Sequence, residues 1–128
     1  MKARIMGVLV CGLLSIGSGP GPQGVIGAWH YADARKGALV LTFQSDYSYQ
    51  VDFNGDGITD IHGVYEFWDD RLILGDEVPA QVTDCVALGV YLYQVDRERL
   101  TFQLYSDDCQ PRRAVLGESF VRQAISRF

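Results

Sequence analysis

Ala38-Leu39-Val40-Leu41-Thr42-Phe43-Gln44 is followed, across Ser45-Asp46, by Tyr47-Ser48-Tyr49-Gln50-Val51-Asp52-Phe53. Both runs alternate with a period of two. Leu39, Leu41 and Phe43 share one side of the first run; Tyr47, Tyr49, Val51 and Phe53 share one side of the second. Successive side chains of a strand point to opposite faces. Each run therefore reads as a half-buried strand, with Ser45-Asp46 as the turn between them.

The same pattern runs on. Ile58–Trp68 places Ile61, Gly63, Tyr65 and Phe67 on one face, and Asp69-Asp70 turns the chain. Leu72 and Leu74 mark a short strand ending at Gly75, and Asp76–Asp84, with Pro79 inside it, is irregular. Val86–Val95 is a strand, turned by Asp96-Arg97-Glu98 into one carrying Leu100, Phe102 and Leu104. Ser106–Pro111 is a loop, and a last strand is predicted over about Arg113–Arg122, interrupted near Gly117-Glu118. Apart from a short tail around Val121–Phe128, no helical period is read in this part of the chain. Seven or eight short strands with hairpin connections predict an all-β fold, a small antiparallel up-and-down barrel of about eight strands. Closure removes edge strands. An interior of that size is filled by side chains or holds one small ligand.

The first residues have a different character. Met1-Lys2-Ala3-Arg4 is basic and Ile5–Ile16 is apolar, too short for a membrane span of about 20 residues. With Ser15 and Gly17 as the small residues at its end, this is the pattern of a secretory signal over residues 1–17. Val10 stands before Cys11 where lipid attachment wants a small residue, so lipidation is not expected. A Gly/Pro linker over 18–24 and a barrel domain over 25–128 complete the expected organisation, and the expected location is secreted or periplasmic. Without Lys2 and Arg4, nine basic residues face 16 acidic ones, a net charge of −7. Such a surface argues against nucleic acid and against anionic membranes. Cys85 and Cys109 are the cysteines left, and in an exported chain such a pair reads as a disulfide. A loop of 25 residues closed this way is worth roughly 3 kcal/mol in the chain-entropy account.

One stretch names a chemistry. In Asp52-Phe53-Asn54-Gly55-Asp56-Gly57-Ile58-Thr59-Asp60, oxygen-bearing side chains alternate around two glycines. Calcium takes six to eight oxygens, and its loops draw them from positions 1, 3, 5, 7 and 9 with glycine at 6. Asp52, Asn54, Asp56, the Ile58 carbonyl, Asp60 and Gly57 occupy those positions. Position 12, a bidentate glutamate in an EF-hand, is Gly63, and the flanks read as strands. The stretch resembles the Asp-x-Asn-Gly-Asp-Gly-x-x-Asp calcium loops of integrin-type and related β-repeat proteins. That resemblance implies a structural calcium ion, and without the bidentate residue its affinity is expected near ~10⁻⁴–10⁻³ M. The competing reading is a plain acidic hairpin turn, for which Asn-Gly and Asp-Gly suffice. Other residues point to less. His30 and His62 read as surface or rim residues, and Asp69-Asp70 and Asp107-Asp108 as turn formers. No Ser/His/Asp order, phosphate loop or zinc-protease motif appears, and an enzyme is not expected.

Gly27-Ala28-Trp29, opening a meander, looks like the Gly-x-Trp start of lipocalin-like (calycin) barrels. Gly89-Val90-Tyr91, Leu100-Thr101-Phe102 and Asp108-Cys109 with Arg112-Arg113 resemble small bacterial exported members of that group. The likeness spans about Val25–Arg122. It implies a barrel with a central cavity, an indole closing one end, and an arginine, Arg122 or Arg113, over that indole. The expected function is an exported binding module for a small apolar ligand, with calcium bracing one hairpin. The alternative is a structural or interaction domain with a filled core and a protein partner.

Overall fold

The computed structural model describes residues 22–78, 85 and 87–123. The signal expected over 1–17 and the end of the chain from 124 lie outside the described residues. Eight strands form a closed, wholly antiparallel barrel: β1 Gly27–Tyr31, β2 Val40–Phe43, β3 Ser48–Asp52, β4 Ile61–Trp68, β5 Arg71–Val78, β6 Gly89–Asp96, β7 Arg99–Ser106 and β8 Phe120–Arg122. Strands pair in chain order, and β8 returns to β1 with Arg122 opposite Trp29 and Phe120 opposite Tyr31. The period-two alternation is what builds this, because every strand must bury one face and the curl of the sheet supplies the inside.

The two ends of the barrel differ. At one, tight turns join β2 to β3, β4 to β5 and β6 to β7. Each carries a residue in the left-handed region, Tyr47, Asp69 and Arg97 in turn, which lets the chain reverse within a few residues. A short helix, α1 (Pro22–Val25), lies at this end and buries Val25. The indole of the fully buried Trp29 donates to the Val25 carbonyl at 2.9 Å. The Arg122 guanidinium sits 4.2 Å above the indole and donates to the Ile26 and Gly24 carbonyls. Arg122, not Arg113, is thus the arginine over the tryptophan. These bonds tie α1, which lies inside the expected linker, to β1 and β8.

The middle of the barrel is packed. Phe43 meets Tyr49, Tyr65 and Phe102, and Phe102 in turn meets Tyr91 and Phe120. Leu41, Leu72, Leu74 and Leu100 complete the layer, each with 2% of its surface exposed or less.

The longer connections gather at the other end. Here the chain departs from the predicted last strand. Gln110–Leu116 is a helix, α2, and only Phe120–Arg122 remains as strand. The Cys109 Sγ accepts from the Arg112 amide at 3.4 Å as an N-cap, and Pro111 stands in the first turn, where its missing N–H costs nothing. Two turns are too few to display a period, and one of the two buried residues is an arginine, which reads as solvent-facing. Smaller differences are at strand edges. β4 begins at Ile61 rather than Ile58, and β6 at Gly89 rather than Val86. β5 continues past Gly75 to Val78 through an irregularity opposite His62 and Gly63. No helix among the described residues is long and apolar enough to cross a membrane.

Candidate functional site: an apolar cavity beside a buried ion-pair cluster

Asp107 directly follows β7 and is buried. Its carboxylate accepts from the Tyr91 hydroxyl at 2.5 Å, the Cys109 amide at 2.9 Å, and Arg112 Nε and Nη2 at 2.8 and 2.9 Å. The arginine and carboxylate meet as a two-pronged pair, the strongest geometry available to them. Arg112 Nη2 also donates to the Ala87 carbonyl at 2.7 Å, and Arg113 Nη1 to the Asp107 carbonyl at 2.8 Å. Burial pushes the Asp107 carboxyl up, but the bonds from Arg112, Tyr91 and the Cys109 amide outweigh it and hold it below the usual carboxylate range. Burial works against the charge on Arg112, yet Asp107 and Asp76 keep its proton bound more tightly than usual.

A second carboxylate completes the cluster. Asp76 Oδ1 lies 3.2 Å from Arg112 Nη1 and accepts from the Tyr49 hydroxyl. Gly63 stands between them in the sheet, opposite Tyr49 on one side and Asp76 on the other. Because Gly63 has no side chain, the Tyr49 ring lies across β4 and reaches β5; a Cβ there would strike the ring. Burial and the neighbouring Asp76 charge both push the Tyr49 phenol up, so it stays a donor. Gly89 does a similar service at the first pair. A Cβ on it would fall 2.6 Å from Asp107 Oδ2 and 2.8 Å from Arg112 Nε. Gly89→Ala is expected to cost about 1–3 kcal/mol by overpacking, seen as a lower denaturant midpoint with unchanged slope.

Beside this cluster is a cavity of about 250 Å³ between the barrel wall and α2. Leu41, Val51, Leu74, Val115 and Leu116 are among its lining residues, together with Tyr49, Asp76, Arg112 and the Cys85–Cys109 disulfide. Phe53, Ile61 and Pro111 also line it, and Phe53 and Pro111 are exposed, which places them at its mouth. Its wall is thus almost wholly apolar, with one charged corner. The disulfide expected from the sequence is formed, with Cα atoms 4.6 Å apart and both residues buried.

The acidic loop lies at the same end, between β3 and β4, and is largely exposed. Asp52 accepts from the amides of Gly55, Asp56 and Gly57, and Asp56 from that of Ile58. Asn54 accepts from Asp56, and Asp60 from Phe53. Gly55 and Gly57 are both left-handed, as so tight a path needs. What desolvation Asp52 meets raises its carboxyl, but the amides of Gly57, Asp56 and Gly55 hold it below the ordinary range. The loop's chemistry suits a hard cation, since a carboxylate has about four lone-pair sites and those of Asp56 and Asp60 are mostly unused. Its backbone is also held by its own amides. Asp52, Asp56 and Asp60 do not converge as a group of three carboxylates. The one such trio of acidic, histidine or cysteine donors among the described residues is Asp76 with Cys85 and Cys109, whose sulfurs are bonded to each other.

Of the residues singled out in the sequence, Cys85 and Cys109 are brought together at the cavity, and the loop residues stay together outside it. His62 is exposed, and His30 is half-buried with Nδ1 3.3 Å from the Tyr31 carbonyl. Among the described residues neither forms an ion pair. Asp107 and Asp76 were legible only as turn and loop residues, and Arg112 as part of a motif. The signal that was there is the presence of opposite charges, Asp107 and Arg112, five residues apart across a cysteine. No family model, curated protein or solved structure matches the chain.

Proposed function

We propose that this protein is an exported, non-catalytic barrel that binds a small, mostly apolar ligand at the open end. The observation that carries this is the cavity: apolar walls, one corner of charged groups, and a mouth beside α2. That combination is what small-molecule sites share. The disulfide is compatible with an extracellular location, and the signal-like first residues support export. N-phenyl-1-naphthylamine, whose fluorescence rises in apolar surroundings, tests the reading. Saturable one-site enhancement is expected, and Val115→Trp, which places an indole in the cavity from its α2 side, is expected to abolish it. Enhancement that survives Val115→Trp, or never saturates, would place the probe elsewhere and remove the reading.

The acidic loop has a separate place in this proposal. Calcium, held by Asp52, Asn54, Asp56, the Ile58 carbonyl and Asp60, would brace the β3–β4 hairpin, whose ends carry Phe53 and Ile61 to the cavity mouth. With a dissociation constant near ~1 mM, 10 mM calcium adds about 1.4 kcal/mol. In a domain this small that raises the melting midpoint by several degrees relative to chelator. Equal midpoints would leave the loop as an acidic turn and the cavity reading untouched.

A further inference from the structure

The outer face of the barrel is not uniform. On β2 and β3 the outward residues include Thr42, Ser48, Gln50 and Asp52, which suit a face turned to water. From β4 to β7 that alternation of apolar-in and polar-out breaks down. Val64 and Trp68 point outward from β4 and are 45% and 66% exposed. Ile73 on β5 pairs with Val90 on β6, and next to them Arg71 pairs with Leu92. Leu88, also exposed, lies over Gly75 close to Val64. From β7 the exposed Tyr105 reaches across β6, with its ring centre 4.1 Å from the Arg71 guanidinium. Soluble monomers rarely leave so broad an apolar face in water. Trp, Tyr and Arg are the residues that carry most binding energy where proteins meet.

Charge points to the occupant. Arg71 pairs with Trp68, and Glu66 with Ile73, so Arg71 and Glu66 stand one strand and two residues apart on this face. Their Cα atoms are then about 8 Å apart. Neither forms an ion pair among the described residues, and Arg71 is turned onto Tyr105 instead. We propose that this face docks a second copy of the chain. The two-fold axis lies in the face, midway between Arg71 and Glu66, so that Arg71 of each copy meets Glu66 of the other. A two-fold contact sets one patch against itself, so the patch must be complementary to itself. One cation and one anion side by side among apolar residues meet that condition. A purely acidic or purely basic partner would leave one of the two facing a like charge. The apolar residues supply the attraction, and the charges fix the orientation. The chain's net negative charge sets two copies against each other at a distance, but at 0.15 M salt that repulsion is screened beyond ~8 Å. A face of this width is small for a permanent dimer, so a micromolar dissociation constant is expected.

Sedimentation equilibrium at pH 7 and 0.15 M salt, from about 10 to about 500 µM protein, reads the association. A monomer–dimer equilibrium is expected. Tryptophan emission should shift to the blue as the dimer forms, through Trp68, because Trp29 is already fully buried. Trp68→Ala should weaken the dimer at least ~10-fold. Glu66→Arg and Arg71→Glu each set like charges against one another across the axis, and each alone should be monomeric. Mixed in equal amounts, the two variants should form a heterodimer within roughly threefold of the wild-type dissociation constant, because one then offers two cations to the other's two anions. Melting curves show directly that each variant is folded. Wild-type protein that stays monomeric up to about 500 µM overturns the proposal. So does a dimer indifferent to Trp68→Ala, or a pair of folded charge variants that remain monomeric when mixed. None of these outcomes bears on the cavity, which opens elsewhere, beside Phe53 and Pro111.

Discussion

Arg112→Met is expected to lower stability by about 3–5 kcal/mol, the cost of removing one partner from a buried ion pair. At about 4–8 °C per kcal/mol for a domain of this size, the melting midpoint should fall by roughly 12 °C or more. The reason is not the worth of the pair itself. Asp107 would keep its place inside the protein with the bonds from Tyr91 and the Cys109 amide, but without the guanidinium that balances its charge. Asp76 would lose the one cation it pairs with among the described residues. Two consequences separate this from simple loss of packing. The double variant Arg112→Met with Asp107→Leu should recover much of the loss, because it removes the stranded charge and leaves apolar groups of similar volume. The pH dependence should also change sign. In the native protein the Asp107 carboxyl is depressed, so its contribution is present above the unfolded carboxylate pKa near 3.9 and is lost as pH falls through the lower folded value. In Arg112→Met, burial without the arginine raises that carboxyl, so the variant loses stability as pH rises through the raised value. The gap between the two proteins should therefore narrow on going from pH 7 to about pH 4. A gap that stays constant across that range would show that the pair's charge is not what the arginine supplies.

Removing the disulfide should have an effect of similar size. Cys85→Ser with Cys109→Ser is expected to cost roughly 3 kcal/mol, or about 12–24 °C in midpoint. The bond ties the β5–β6 connection to the N-cap of α2 and forms part of the cavity wall. Probe affinity should therefore fall along with stability, even well below the new midpoint. Wild-type protein under reducing conditions should reproduce both effects. A midpoint within about 2 °C of the oxidised protein would mean that packing alone holds α2 against the barrel. Loss of stability with unchanged probe affinity would mean that the bond is a staple and not part of the binding wall.

The barrel was legible because alternation is a local property. Leu39, Leu41 and Phe43, or Tyr49 and Val51, declare their shared face without reference to the rest of the chain, and hairpin turns leave few topologies to choose from. The disulfide was legible for a similar reason, since reading Cys11 as part of an export signal leaves Cys85 and Cys109 as one obvious pair. The acidic loop was visible as a loop, with its glycines at the positions that turn left-handed. A cavity was expected at the centre of the barrel, but its place between the wall and α2, and its charged corner, were not visible. Tyr49 and Asp76 are 27 residues apart, and they meet only because Gly63 leaves a gap in the strand between them. Asp107 and Arg112 looked like surface residues because charged side chains usually are. Their pairing required α2, a helix too short to show a period and started by a cysteine cap.

Fold class and the hairpin order were thus written in the chain as periodicity and turn chemistry, which act between near neighbours. Which charges go inside, and where a cavity is left beside the barrel wall, were decided only when β3, β4, β5, β7 and α2 closed on one another. Burial turns an ordinary arginine and two ordinary aspartates into one ion-pair cluster, and burial belongs to the whole fold rather than to any stretch of it.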